Sequence, residues 1–155
     1  MRFDLKDIVI LLLCQSKQDA KLLAAGLNTF HIKKIEAASD AEAAFKIYQK
    51  KKIDLIISDI WDGEHDGIAL NLKIREYDKN NTATRILALA GIKELFLAEK
   101  IRNAGISDLL MRPYSVDDLV YKINHILNHD PKVLEKENNE YAKNNTGETE
   151  KTPKN

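Results

Sequence analysis

The residue of this chain best placed to do chemistry is Asp59, the last of the run Ile53-Asp54-Leu55-Ile56-Ile57-Ser58-Asp59. An apolar stretch that ends in a carboxylate reads as a buried strand delivering an acid to its carboxyl end, where open α/β sheets keep their sites. A carboxylate in that place can bind a cation, pair with a base or accept a transferred group. Three other apolar runs end in Cys14-Gln15-Ser16, Ala90-Gly91 and Arg112-Pro113, which a common sheet would bring to the same crevice. After Asp59 come Trp61, Asp62 and then Glu64-His65-Asp66-Gly67, where the next helix opens. His65 shares this loop with Asp59 and Asp62, but no second histidine stands near it, and an exposed loop histidine is the expectation.

The elements that must position these residues follow from periodicity. Ile8 to Leu13 is apolar on both faces and too short for a helix, as a central parallel strand reads. Ala20, Leu23, Ala24 and Leu27 then recur at helical spacing, with Gly26 and Asn28 near the helix end. A second strand is expected over Ile32 to Ala38, and a second helix capped by Ser39 or Asp40 and closed by Lys50-Lys51-Lys52. The strand from Ile53 to Asp59 is third, followed by a helix carrying Ile68, Leu70, Leu72, Ile74 and Tyr77. Arg85 to Ala90 reads as the fourth strand. Leu95, Ala98 and Ile101 mark a fourth helix ending at Asn103-Ala104-Gly105, where Gly suits a left-handed cap. Ile106 to Met111 is the fifth strand, and Ser115 caps a last helix with Val116, Leu119, Val120, Ile123, Ile126 and Leu127 as its buried stripe, up to Pro131.

Five strands alternating with five helices predict an α/β fold, a doubly wound parallel sheet joined by right-handed crossovers. The predicted globular unit spans residues 1–130. Residues 131–155, dominated by Glu, Lys, Asn and Thr, are expected to be a disordered polar tail.

Of the 155 residues, 24 are Lys or Arg and 24 are Asp or Glu, so no global field draws the chain to nucleic acid or an anionic membrane. No stretch approaches the ~20 apolar residues of a membrane span. Cys14 is the single cysteine, which excludes an intramolecular disulfide and suits the cytoplasm. The run before Cys14 is a poor lipoprotein leader, because Asp4 and Asp7 sit in the would-be basic region and bulky Leu13 precedes the cysteine.

Residues 6 to 129 resemble the receiver domain of two-component response regulators. The resemblance rests on the strand-ending Asp59, on Asp66-Gly67 opening the third helix, on Ala104-Gly105 before the fifth strand, and on a base followed by Pro at Arg112-Pro113. It implies a flavodoxin-like fold with strand order 2-1-3-4-5, and a cis bond between Arg112 and Pro113. It also implies phosphorylation of Asp59 by a histidine kinase, a phosphotransfer protein or a small acyl phosphate. The family's Mg²⁺ would be held by Asp59, by the backbone carbonyl of Trp61 and by an acidic pair after the first strand.

That pair falls here on Cys14 and Gln15, a thiol and a single amide oxygen, so weak Mg²⁺ binding or none is expected. The family's switch hydroxyl falls on Ala90, its lysine on Arg112 and the aromatic of its fifth strand on Leu109. Without Mg²⁺, Arg112 or water becomes the natural neutraliser of Asp59. The reading is a single-domain receiver in phosphorelay signalling, with no output domain and no enzymatic turnover beyond self-phosphorylation of Asp59. It acts by binding a downstream protein, or a second copy of itself, through the fourth and fifth helices, where Phe96, Leu97 and Tyr114 are surplus apolar candidates. The alternative is a phosphorylation-independent pseudo-receiver. A flavin carrier is disfavoured because no Ser/Thr/Gly-rich phosphate loop follows the first strand.

Overall fold

The computed structural model of the chain describes residues 4–60, 66–78 and 84–129. Its five strands are β1 (Val9–Leu13), β2 (Lys34–Ala38), β3 (Leu55–Asp59), β4 (Arg85–Ala90) and β5 (Asp108–Met111). The helices are α1 (Lys17–Asn28), α2 (Ala41–Lys50), α3 (Asp66–Tyr77), α4 (Ala98–Asn103) and α5 (Val116–Leu127), with short 3-10 turns at Leu5–Asp7 and Ile92–Leu97. All pairings are parallel, in the order β2-β1-β3-β4-β5, as expected from the alternation of elements.

The sheet is covered on both faces because its central strands are apolar on both. On one face Ile10, Leu12, Leu55, Ile57, Leu87 and Leu89 pack with Leu119, Ile123 and Ile126 of α5 and Leu27 of α1. On the other, Leu11, Leu13, Ile56, Ile86 and Ala88 pack with Ala44 of α2, Leu70 and Ile74 of α3 and Ile101 of α4. Each such fully buried Leu or Ile contributes roughly 1.5–3 kcal/mol relative to exposure. The core therefore holds β3 rigidly, and side-chain alternation turns Asp59 to the same face as Ile57.

Four strands start later than their apolar runs suggest, β1 by one residue, at Val9, and β2, β3 and β5 by two. Ile32 is still bonded to the end of α1, its N–H donating to the Leu27 carbonyl, after a turn in which His31 adopts φ +66°; β2 begins only at Lys34. At Asp54 the side chain, not the backbone, accepts from Val9 N–H at 2.8 Å, so β3 begins at Leu55. Ser107 Oγ accepts from Ile86 N–H at 3.0 Å, and β5 begins at Asp108.

The helix caps follow the sequence. Asp40, not Ser39, caps α2, accepting from Ala43 N–H at 2.8 Å. Ser115 and Asp118 form a reciprocal capping box on α5, which ends at Leu127, before Pro131 is reached. Gly105 sits at φ +83° after α4, a conformation costly for any residue with a Cβ.

The fourth helix departs most from expectation. Its amino-terminal half is the 3-10 turn Ile92–Leu97, with three residues per turn, so Glu94 and Leu97 face inward while Ile92 and Leu95 face solvent. Leu95 is thus an exposed residue, and Leu97, expected as a surplus surface group, belongs to the core. Val116, expected in the buried stripe of α5, is also exposed. The segment 131–155 lies outside the described residues.

Candidate functional site

The carboxyl ends of β1, β3, β4 and β5 converge as the topology requires. Backbone hydrogen bonds extend past the ladders: Cys14 N–H to Ala38 O of β2 at 3.1 Å, Ile60 N–H to Leu89 O of β4 at 2.7 Å and Arg112 N–H to Ala90 O of β4 at 2.7 Å. Gly67, at the start of α3, lies against this corner, where an added Cβ would come within 3.1 Å of the Asp59 carbonyl oxygen. The Arg112–Pro113 bond is cis.

Arg112 organises the site. Its Nη1 donates to Asp59 Oδ1, and its Nη2 donates to the Ile60 carbonyl at 2.6 Å and to Glu94 Oε1 at 2.5 Å. The guanidinium thus lies between two acids, with side-chain exposures of 32% for Arg112, 16% for Asp59 and 4% for Glu94. A planar five-donor fork can serve several acceptors at once, which an ammonium on a flexible stem does less well.

Burial dominates the electrostatics. The Asp59 carboxyl is pushed up to about 6, because desolvation and the nearby Asp19 and Glu94 charges outweigh the opposing pull of Arg112. Cys14 is raised to about 12, first by burial and then by Asp59 and Asp19, so its thiol is neutral at physiological pH. Tyr114 is raised to about 12 for similar reasons. A recess of about 470 Å³ beside Asp59 is lined by Cys14, Gln15, Asp19, Leu23, Arg112 and Tyr114, among others. A second, of about 670 Å³, opens between Gly91, Ile92, Glu94, Pro113 and Tyr114 on the far side of Arg112.

The structure brings Cys14, Gln15, Asp59 and Arg112 together around one recess and places Gly91 and Pro113 on the second. Ala90, expected at the crevice, instead packs in the core of the opposite sheet face, because strand alternation gives the place beside Asp59 to its neighbour Leu89. Trp61 and the loop residues Asp62 to His65 lie outside the described residues. Glu94 and Asp19 were not singled out from sequence. The signal for Glu94 was one acid among Ile92, Leu95, Phe96 and Leu97, which a period of three, not 3.6, turns inward. Asp19 stands in the first turn of α1 below its cap Ser16, a position that looks like ordinary helix-dipole pairing.

A family model of the response regulator receiver domain matches residues 12–124. The chain belongs to this family. Among known proteins, the receiver domain is similar to the transcriptional regulatory protein RprY of Bacteroides fragilis, 25% identical over 138 residues, covering 89% of this chain and 57% of that protein. It is also similar to the heme response regulator HssR of Staphylococcus aureus, 28% identical over 105 residues, covering 68% of this chain and 45% of that one. The chain thus spans about half the length of these relatives. A two-component response regulator from Clostridium difficile superposes with a TM-score of 0.66 at 28% identity, over 78% of this chain and 96% of that one. The receiver domain of NtrX from Brucella abortus superposes with a TM-score of 0.66 at 22% identity, over 76% of this chain and 97% of that one, and supports the fold alone.

Receiver domains are signalling modules of two-component systems and interact with histidine kinases or phosphotransfer proteins. The named relatives are response regulators, which does not favour the alternative of a phosphorylation-independent pseudo-receiver. No helix among the described residues is long and apolar enough to cross a membrane.

Receiver domains commonly bind Mg²⁺ at the phosphorylation site, but the donors here do not fit that ion. The acidic pair is replaced by a buried neutral thiol and an exposed amide, and Asp59 Oδ1 is already bonded to a guanidinium, while the Trp61 carbonyl lies outside the described residues. Among the described residues no group of three or more His, Cys, Asp or Glu side chains is placed to hold a metal.

Proposed function

We propose that Asp59 is the phosphoacceptor of this receiver domain and that Arg112 supplies the positive charge its chemistry needs. The observation that carries the reading is the guanidinium bound to Asp59 Oδ1 at the carboxyl end of β3. Transfer to a carboxylate requires little of the protein beyond positioning and charge neutralisation. In the step, an Asp59 carboxylate oxygen attacks the phosphorus of a phosphohistidine on a histidine kinase or phosphotransfer protein. An O–P bond forms to Asp59 while the P–N bond breaks, and its electron pair stays on the imidazole nitrogen, which takes up a proton. Arg112 faces the charge gathered on the transferred group. With the Asp59 carboxyl at about 6, the acceptor is mostly ionised at neutral pH, and acceptance rises with pH through that value.

The signal then passes to a downstream protein. Ile92, Leu95 and Phe96, exposed at 75%, 53% and 75%, supply apolar surface on the turn after β4, with Ile92 sharing a recess with Pro113 and Tyr114, which supports contact through this side of the domain, with either a partner or a second copy. We place this activity in the cytoplasm, where a reduced Cys14 is stable, and assign the domain no turnover of its own beyond self-phosphorylation.

The test is intact mass after exposure to acetyl phosphate or to a phosphorylated histidine kinase. One phosphoryl group is expected on the wild type and none on Asp59→Asn. An adduct that persists in the variant, or no adduct on the wild type, overturns the assignment.

A further inference from the structure

We propose that Glu94 is a positioning residue that Arg112 releases when Asp59 is phosphorylated, converting the new charge into a rearrangement of the Ile92–Leu97 turn. The inference rests on Asp59 being the phosphoacceptor. In the resting site one guanidinium serves two carboxylates, Asp59 through Nη1 and Glu94 through Nη2 at 2.5 Å. Phosphorylation turns the single charge at Asp59 into a group of roughly −1.5 to −2 with three acceptor oxygens. The same two guanidinium nitrogens then face a stronger competitor a few ångströms away, and the bond to Glu94 is the one that can be given up.

Glu94 cannot lose that partner quietly. Its side chain is 4% exposed, and a carboxylate that deeply buried is strongly destabilised once its cation is withdrawn, which drives it toward water. The backbone that carries it is suited to move. Ile92–Leu97 is a six-residue 3-10 turn, a form whose hydrogen bonds are poorer than those of an α-helix. Gly91 joins it to β4, and a Cβ there would stand 3.4 Å from Glu94 Oε2 and 3.5 Å from Arg112 Nε, so the join passes directly beside the ion pair.

The same turn presents Ile92, Leu95 and Phe96 to solvent, so expelling Glu94 changes the surface offered to a partner. Leu89, the β4 residue beside Asp59, has no hydroxyl to follow a phosphoryl group, and Leu109 has no ring to reorient. The Arg112–Glu94 pair therefore supplies a lever that those positions do not.

Hydrogen exchange of peptides covering residues 92–97, with intact mass on the same samples, tests the lever. After acetyl phosphate, the wild type is expected to carry one adduct and to exchange on the order of tenfold faster over 92–97, with β3 unchanged. Glu94→Gln keeps the shape and an acceptor oxygen but not the charge, and is expected to show the adduct with equal exchange before and after. Glu94→Asp, which keeps the charge, retains a response. An adduct on the wild type with exchange over 92–97 unchanged overturns the lever and leaves the phosphoacceptor standing, and so does a full response in Glu94→Gln. Absence of the adduct removes the phosphoacceptor and the lever with it, an outcome the mass separates from the other two.

Discussion

The two flanks of Asp59 are built on opposite principles. On the β1 side, Cys14 is buried and neutral, Gln15 is uncharged, and the acid lining the recess, Asp19 of α1, is exposed to solvent. On the β4 and β5 side, Arg112 and Glu94 bring one charge of each sign, the acid almost wholly buried. A site that needs positive charge near a carboxylate can recruit an ion with extra acids or carry a covalent cation. The first leaves the charge exchangeable with solvent. The second fixes it and requires a counter-charge, which is the role Glu94 fills here.

The largest effect that would sharpen this contrast is expected from Arg112→Ala. Removing the shared cation leaves Asp59 and Glu94 as uncompensated, mostly buried acids, at a cost of about 3–5 kcal/mol. Urea unfolding at neutral pH measures it, and a loss below about 1 kcal/mol, the worth of an exposed pair, would break the account of the charged flank.

Next comes Asp59→Asn. The folded carboxyl titrates at about 6, above its ordinary 3.8, so the group contributes stability below the ordinary value and loses it as pH rises through about 6. Removing it is expected to stabilise the domain by on the order of 2 kcal/mol at about pH 7 and by nothing at about pH 4. A gain that does not change with pH would show that burial is not what raises Asp59.

On the other flank the expectations are smaller. Cys14→Ala should cost about 1 kcal/mol for the packing lost, with the yield of the phospho-adduct unchanged. A fall in yield would give the thiol a role that its neutrality argues against. The smallest expected change is for Mg²⁺ itself. At millimolar concentration it should leave both the unfolding midpoint and the emission of Trp61, the single tryptophan, where they are. A clear shift of either would show that the β1 flank holds the ion after all.

Much of the architecture was visible in the residues alone. The short two-sided apolar runs, a cap at Ser39 or Asp40, the cap at Ser115, and Gly105 after α4 state local preferences that the packed structure has no reason to override. The strand starts were less so, because Asp54 and Ser107 take ladder bonds with their side chains, a substitution that hydropathy does not register.

The site divides in the same way. That Asp59, Arg112 and Cys14 share a crevice follows from their places at the ends of parallel strands, and the chain determined this by itself. That Arg112 is held by Glu94 as well as Asp59 was decided only by the tertiary structure. A 3-10 turn and an α-helix are close enough in energy that the choice over Ile92–Leu97 falls to packing, and that choice turned an acid inward to meet the guanidinium.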